Sequence, residues 1–370
     1  MAGQCVARSD LAVVSAGQNH SCVILQGTLS CWGSNANGQL GSGDGTSYRA
    51  PFVIGKDRDW VDVSLGARHS CGLRAPGALY CWGDNSQAQL GMGGAGGMRV
   101  RTPTLVGRVD DYIKLSCAGD NCCALRRSGV LQCWGDNSVG NTGTSRGGNN
   151  GLVTTPTPVV SNAKFSAVGV GASHSCAVTV GGQLLCWGLN SDGELGQGPS
   201  RDTQRMPRPV GDDSDWVSVA CGEKHTCGVR TGGALLCWGG NDDGQVGVGR
   251  EGPDGVRLII DVPTAVDSSN GWGAVVAGAF HSCARKDRSN EPFCWGRASS
   301  GQLGVGDSAD VVEFPTRIPA LSAVRRFGLG AQHSCAFDSD RKLYCWGDNA
   351  QGQLGLGDTQ RRTEPVLVGR

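Results

Sequence analysis

The tripeptide Cys-Trp-Gly occurs seven times, at Trp32, Trp82, Trp134, Trp187, Trp238, Trp295 and Trp346, at intervals of 50, 52, 53, 51, 57 and 51 residues. A period of this length marks an architecture in which one small unit cannot bury its own faces and stacks on its neighbours. Ahead of each tripeptide runs a segment like residues 66–71 (GARHSC), and after it one like residues 83–91 (GDNSQAQLG) or 347–355 (GDNAQGQLG). Little lies outside these units, so residues 1–370 read as a single domain.

Within a unit the patterns are those of strands. Trp60-Val61-Asp62-Val63-Ser64-Leu65 alternates with period two, as do Trp216-Val217-Ser218-Val219 and Phe165-Ser166-Ala167-Val168, and no segment sustains a helical period. A hairpin follows in every unit, near 20–33, 69–83, 121–135, 174–188, 225–239, 281–296 and 333–347. In the first, Cys22 and Cys31 are symmetric about Gln26-Gly27, so a two-residue turn sets them opposite one another. In units two to five and seven the cysteines are ten apart, which makes a three-residue loop with the same facing pair. The closing Gly of that loop, as in Ala75-Pro76-Gly77 and Thr231-Gly232-Gly233, supplies a positive φ.

A fourth strand starts at a Pro, as in Pro51-Phe52-Val53-Ile54, Pro103-Thr104-Leu105-Val106 and Pro209-Val210, where an outer strand needs no ladder donor. Four short strands per unit and seven units describe an all-β chain folded as a seven-bladed β-propeller. The first unit opens at Leu11-Ala12-Val13-Val14 with no Pro strand ahead of it, while the chain ends in Pro365-Val366-Leu367-Val368. The C-terminal strand is therefore expected to complete the first blade and close the ring.

With 33 basic and 33 acidic side chains there is no global field to draw the chain onto nucleic acid or an anionic membrane. No apolar run reaches the length of a membrane span. The first ten residues, MAGQCVARSD, lack the basic and apolar regions of a signal peptide. The expected partner is a protein.

The pattern G-x-x-H-S-C, hairpin, W-G-x-N-x-x-G-Q-L-G and P-x-x-V resembles the repeat of the regulator of chromosome condensation family. That resemblance implies the seven-bladed propeller reached above. It also implies functions that diverge: nucleotide exchange on a small GTPase with docking on chromatin, plant ultraviolet-B reception, and inhibition of β-lactamases by a secreted bacterial member. The photoreceptor's repeats carry Trp just after the Gly. Here that place holds Gln18, Ala67, Ala172, Glu223, Ala279 and Ala331, so no light-sensing Trp cluster is expected. The exchange factor uses an inserted wedge and a basic N-terminal tail, and neither stands in this sequence. The inhibitor is a bare propeller presenting one loop-built face, a plan this chain matches in architecture though not in cysteine pattern.

Facing cysteines in a hairpin lie within disulfide reach. Seven pairs are expected: Cys22 with Cys31, Cys71 with Cys81, Cys123 with Cys133, Cys176 with Cys186, Cys227 with Cys237, Cys283 with Cys294, and Cys335 with Cys345. Such bridges point to an extracellular or periplasmic setting, the alternative being a cytoplasmic one with buried thiols. Two ligands per blade fall short of a zinc site, so no metal and no cofactor is expected. Cys117 and Cys221 fill a position held elsewhere by Ala16, Leu65, Val170, Ala277 and Leu329, and read as buried free thiols. Cys122 and the terminal Cys5 are left without partners.

His20, His69, His174, His225, His281 and His333 share one repeat position, with Asn121 in the third unit. They read as inward polar groups bonding backbone, a role Asn can imitate, and no Ser or Asp is placed to complete a catalytic triad. Residues 190–194 and 241–244 resemble fragments of a calcium loop, yet every unit carries this turn. What varies is the residue before the His. Asn19, Arg68, Asp120, Ser173, Lys224, Phe280 and Gln332, together with Arg99 and Arg101, are the candidate partner-binding residues, because changing tips on a repeated framework give a propeller face its specificity. The connections after units two to four carry Arg99, Arg101, Arg146, Arg201 and Arg205 against Asp202, and the one after unit six carries Asp307, Asp310 and Glu313. These are expected to form a basic and an acidic sector.

Overall fold

Turn chemistry sets each hairpin. Gln26 and Gly27 both hold positive φ, 53° and 80°, which matches the twist of paired strands and places Cys22 opposite Cys31. In the second hairpin Arg74 faces Ala78 across Ala75-Pro76-Gly77, and Cys71 faces Cys81. Repeated along the chain, these units give the all-β propeller expected. The computed structural model describes residues 11–94, 97–145, 151–251, 258–306 and 310–369. The first blade is β1 (Ala12–Ala16), β2 (His20–Leu25), β3 (Thr28–Gly33) and β4 (Tyr48–Val53). Six more follow: β5–β8 over 60–105, β9–β12 over 112–158, β13–β16 over 165–209, β17–β20 over 216–265, β21–β24 over 272–317 and β25–β28 over 324–367. Each is an antiparallel sheet of four consecutive strands, with the first strand innermost.

The core lies between blades. Ile24, Leu29 and Leu40 of the first blade pack with Trp60, Val63, Leu65 and Trp82 of the second, and all seven Cys-Trp-Gly indoles are completely buried. Every indole Nε1 donates to a backbone carbonyl in the loop of the preceding blade. Trp82 bonds Gln39 at 2.9 Å, Trp187 bonds Asn141 at 3.0 Å and Trp32 bonds Gln353 at 2.8 Å. The Gly that ends the Q-L-G turn makes this possible. Gly355 has φ 73°, and a Cβ there would meet Trp32 Nε1 at 2.7 Å.

Ring closure differs from the expectation. β28 (Arg362–Leu367) pairs with β27 (Leu343–Gly347) in the seventh blade, and the first blade is completed by its own β4. Each Pro strand follows its own Cys-Trp-Gly, so seven units hold seven such strands and none is spare. Closure is instead by packing: Val14, Val23 and Trp32 meet Phe337, Leu354 and Val368. The prolines also sit differently. Pro51 and Pro103 lie inside β4 and β8 (Val100–Leu105), close to a register shift in the ladder. An irregular outer edge tolerates a residue without an N–H.

Disulfides join all seven facing pairs, each with Cα atoms 4.1 Å apart. An eighth corrects the reading of Cys117 and Cys122. They are opposite one another on β9 (Tyr112–Ala118) and β10 (Asn121–Arg126) and are bonded. Comparison of each cysteine with its own repeat column hides this pair, because the two face each other across the tight turn at 119–120. Cys221 is a buried thiol, and burial pushes its pKa up to about 12. Cys5 lies outside the described residues.

Because the closing seam uses the same indole bond as an interior one, Trp32→Phe and Trp187→Phe are expected to cost the same, about 1–3 kcal/mol each. Equilibrium urea unfolding of the two variants checks this.

Candidate functional site

The Gly-x-x-His turns between the first and second strands of the blades ring the axis. Backbone bonds link them from blade to blade: Ala67 N to Gly119 O at 2.8 Å, Ala172 N to Gly222 O at 3.3 Å, Glu223 N to Ala279 O at 3.1 Å, Ala279 N to Gly330 O at 3.3 Å and Ala331 N to Gly17 O at 3.3 Å. The carbonyl of every tip residue is also occupied. Asn19, Arg68, Asp120, Ser173, Lys224, Phe280 and Gln332 accept from the amides of Ser34, Asp84, Asp136, Leu189, Gly240, Arg297 and Asp348, at 2.8–3.1 Å. The seven predicted tips are thus brought together on one face with their backbones fixed and their side chains left to vary. The residues that donate to them form a second varying set that sequence reasoning missed. Its signal was available, since the position directly after Trp-Gly reads Ser, Asp, Asp, Leu, Gly, Arg, Asp around the ring.

Electrostatics divide this face. Arg68, exposed, stands 3.2 Å from Asp84 and 3.8 Å from Asp120. Burial raises the Asp120 carboxyl, with the neighbouring Asp84 and Asp136 adding to the effect and Arg68 opposing it. Across the axis Lys224 pairs with Asp192 at 3.5 Å. The Arg297 guanidinium lies 4.0 Å over the Phe280 ring and holds Asp243 with two bonds of 2.8 Å. Asn19 and Ser173 are half-buried, and Gln332 is exposed.

Arg99 and Arg101 flank the ring without joining it. Arg99 Nη1 donates to Ala36 O at 3.3 Å, and the Arg101 carbonyl accepts from Gly43 N at 2.9 Å, so both lie against the loop of the first blade. Of the residues expected to form the charge sectors, Arg201 and Glu313 each pair with an opposite charge across a seam, Arg201 with Asp261 at 3.5 Å and Glu313 with Arg250 at 2.8 Å. Arg205 donates to Ser138 O at 2.9 Å. Arg146 and Asp307 lie outside the described residues.

The six histidines lie beneath the tips, completely buried. Their bonds run to side chains of the next blade, not to backbone as expected. His20 Nε2 meets Ser70 Oγ at 3.0 Å, His174 meets Thr226 at 2.8 Å, His225 meets Ser282 at 2.8 Å, His281 meets Ser334 at 2.9 Å and His333 meets Ser21 at 2.8 Å. Each hydroxyl spends its one proton on the loop carbonyl that also takes the indole, as Ser21 does on Gln353 O at 2.8 Å and Ser70 on Gln39 O at 2.7 Å. The hydroxyl therefore accepts from the imidazole, which must carry its proton on Nε2. Burial lowers the ring pKa to about 3 in His20, His174, His225 and His281 and to about 4 in His69 and His333. Asn121 does not imitate this role. Its side chain finds no hydrogen-bond partner among the described residues.

The acidic turns are structural. Asn190 Oδ1 accepts from Leu195 N at 3.1 Å, and Glu194 Oε2 accepts from Asp192 N at 2.8 Å, the same bonds that Asn35 and Gln39 make in the first blade. Two clefts run along outer strands, one lined by Arg361, Arg362, Thr363, Glu364 and Val366, the other reaching from Asn190 to Pro209. Both stand apart from the histidines.

A ring of four-stranded blades locked by indole-to-carbonyl bonds, with a varying set of tips on one face, defines a class of repeat propeller. The chain belongs to the RCC1-like domain family, whose model matches residues 3–257 and 154–370. It is 28% identical over 363 residues to the ultraviolet-B receptor UVR8 of Arabidopsis thaliana, covering 96% of this chain and 81% of that protein. It is 32% identical over 370 residues to the human E3 ubiquitin-protein ligase HERC2, covering 92% of this chain but only 7% of that protein. In fold it matches yeast RCC1 (Prp20) bound to Kap60, with a TM-score of 0.81, 18% identity, and coverage of 100% of this chain and 89% of that one. Human WBSCR16 gives a TM-score of 0.80 at 20% identity, covering 93% and 95%. Among the described residues no helix is long and apolar enough to cross a membrane.

The neutral histidines set a pH response. A folded pKa below the unfolded value of 6.5 means the unfolded chain binds more protons as pH falls. Each ring therefore costs about 1.4 kcal/mol of stability per pH unit below that value. His174→Asn should lower stability at pH 7.5, yet lose about 2–3 kcal/mol less than the parent between pH 6.5 and 4.5. Urea unfolding at the three pH values measures it.

Proposed function

We propose that residues 1–370 form one non-enzymatic interaction propeller that binds a protein partner through the face carrying the Gly-x-x-His turns. The observation that carries this reading is the division of labour in those turns. The backbone of each tip is used by the framework, while its side chain differs from blade to blade. Phe280 under Arg297 supplies an aromatic anchor beside a guanidinium, the residue types that dominate binding energy at interfaces. Arg68 among Asp84, Asp120 and Asp136 supplies a charged patch that selects by complementarity. An interface of about 800 Å² per side fits such a face. A bridge in every blade supports an oxidising compartment, extracellular or periplasmic. Among the structural relatives, yeast Prp20 was solved with its binding to Gsp1p and histones described, which supports protein binding as a use of this architecture.

The test is capture by the immobilised full chain from the source organism's protein fractions, followed by affinity measurement with the purified partner. Arg68→Ala and Phe280→Ala should each weaken binding at least about fivefold without lowering the melting temperature. Val180→Ser, at a residue 71% exposed in a hairpin turn of the opposite face, should leave binding unchanged. Equal affinity in all three variants contradicts the reading. A captured hydrolase whose activity falls on binding would replace it with the inhibitor reading. A small GTPase whose nucleotide release accelerates would replace it with the exchange-factor reading.

A further inference from the structure

At one seam of the ring, four soft ligands converge. Six of the seven seams bring a His and a hairpin Cys from the earlier blade, Asn121 replacing the His in the third, and the later blade commonly faces them with a hydroxyl and an apolar residue. Between the second and third blades both of those places are cysteines. Cys122 stands where the other blades have Ser21, Ser70, Ser175, Thr226, Ser282 and Ser334, and Cys117 stands where most have Ala, Val or Leu. As a result His69, Cys71, Cys117 and Cys122, all buried, place their ligand atoms within 4.8 Å of one another. His69 Nε2 lies 3.0 Å from Cys122 Sγ, and Cys122 Sγ lies 3.8 Å from Cys71 Sγ. A tetrahedral zinc ion with Zn–S near 2.3 Å and Zn–N near 2.0–2.1 Å has ligand edges of about 3.4–3.8 Å; the Cys71–Cys122 edge already has that length, and the bonded Cys117–Cys122 edge must open on reduction.

We propose that His69, Cys71, Cys117 and Cys122 form a binding site for a soft divalent cation of the zinc type, loaded when the three cysteines are thiolates. The same side chains therefore have two end states. In the oxidised chain they are the Cys71–Cys81 and Cys117–Cys122 disulfides. Reaching the other state takes two equivalents of a dithiol, each reducing one disulfide to two thiols and becoming a cyclic disulfide itself. The cation then replaces the thiol protons of Cys71, Cys117 and Cys122, which leave to water, and Cys81 keeps its proton. His69 is neutral, as a ligand must be. Once Cys122 no longer needs its Nε2 proton, the tautomer with the proton on Nδ1 leaves Nε2 free for the metal.

An internal comparison sharpens the assignment. At the seam between the fourth and fifth blades, His174, Cys176 and Cys221 converge in the same way, but the fourth place is Thr226, which spends its hydroxyl on Glu194 O at 2.8 Å. That seam is one ligand short.

The test uses the full chain reduced with a dithiol, freed of reductant and metal without oxygen, and titrated with Co²⁺ and then Zn²⁺. The expected result is one equivalent of cobalt with tetrahedral visible bands and thiolate charge transfer, displaced by zinc, while far-ultraviolet circular dichroism keeps its strand signature. Cys122→Ser and Cys117→Leu install the residue types of other blades. Each should weaken cobalt binding by more than the ~10–100-fold that loss of an outer-sphere partner costs. Thr226→Cys should add a second equivalent. The proposal is overturned if the folded, reduced chain takes up no stoichiometric tetrahedral cobalt, or if it loses its strand signature with cobalt present. It is equally overturned if Cys122→Ser and Cys117→Leu leave binding unmoved, or if Thr226→Cys still takes one equivalent.

Discussion

Seven carbonyls hold this ring together. At each seam one loop carbonyl, that of Gln39, Gln89, Asn141, Glu194, Gln245, Gln302 or Gln353, accepts the indole of the following blade. At six of the seven it also accepts a hydroxyl. A buried carbonyl has two lone pairs, and leaving them unpaired costs about 1–3 kcal/mol. The whole loop is shaped to present that one atom. The Asn side chain turns the loop back on itself, and the closing Gly lets the indole approach without a Cβ in the way. A blade detached from its neighbour would bury neither its Trp nor its half of the intervening core, so the fold is a property of the ring and not of the blade.

The same economy separates framework from recognition. Within a single turn, the Gly accommodates the imidazole, the His bonds across the seam, and the residue between them gives its carbonyl to the end of the third strand. That residue's side chain and its donor's are the ones that vary from blade to blade. Two neighbouring columns of the repeat therefore form one face whose chemistry can change without disturbing a seam. Arg68 with Asp84 and Asp120 and Phe280 with Arg297 and Asp243 sit on opposite arcs of the same rigid scaffold.

The hairpins and blade count were legible in the sequence because turn length and strand register are local, and Cys22 and Cys31 declare their symmetry within ten residues. The seam was not. Trp82 and Gln39, or His20 and Ser70, are about a whole repeat apart, and each column read alone shows only a constant residue without its partner. This is why the histidines were expected to bond backbone and Asn121 to imitate them. Cys117 and Cys122 escaped for a related reason: each was compared with its column, while the pairing that matters runs across one turn. Closure was misread through an error of phase, since a Pro strand belongs to the tripeptide before it. The tips were legible as variation, and their donors at Asp84, Asp136, Arg297 and Asp348 were legible in the same way once the backbone bonds joined the two columns.

If the seams are equivalent, the place where the chain's two ends meet is no weaker than the rest, and the seams of the third blade, short of a hydroxyl on one side and of a histidine on the other, open first. Native-state hydrogen exchange measures this directly, because the amides of Ala331 and Ala279 bond across the closing seam and an interior one. Comparable protection at Ala331 and Ala279, with earlier exchange at Ala67 beside the third blade, is the result predicted. Exchange at Ala331 well ahead of every interior seam would contradict a ring closed by the same bonds that build it.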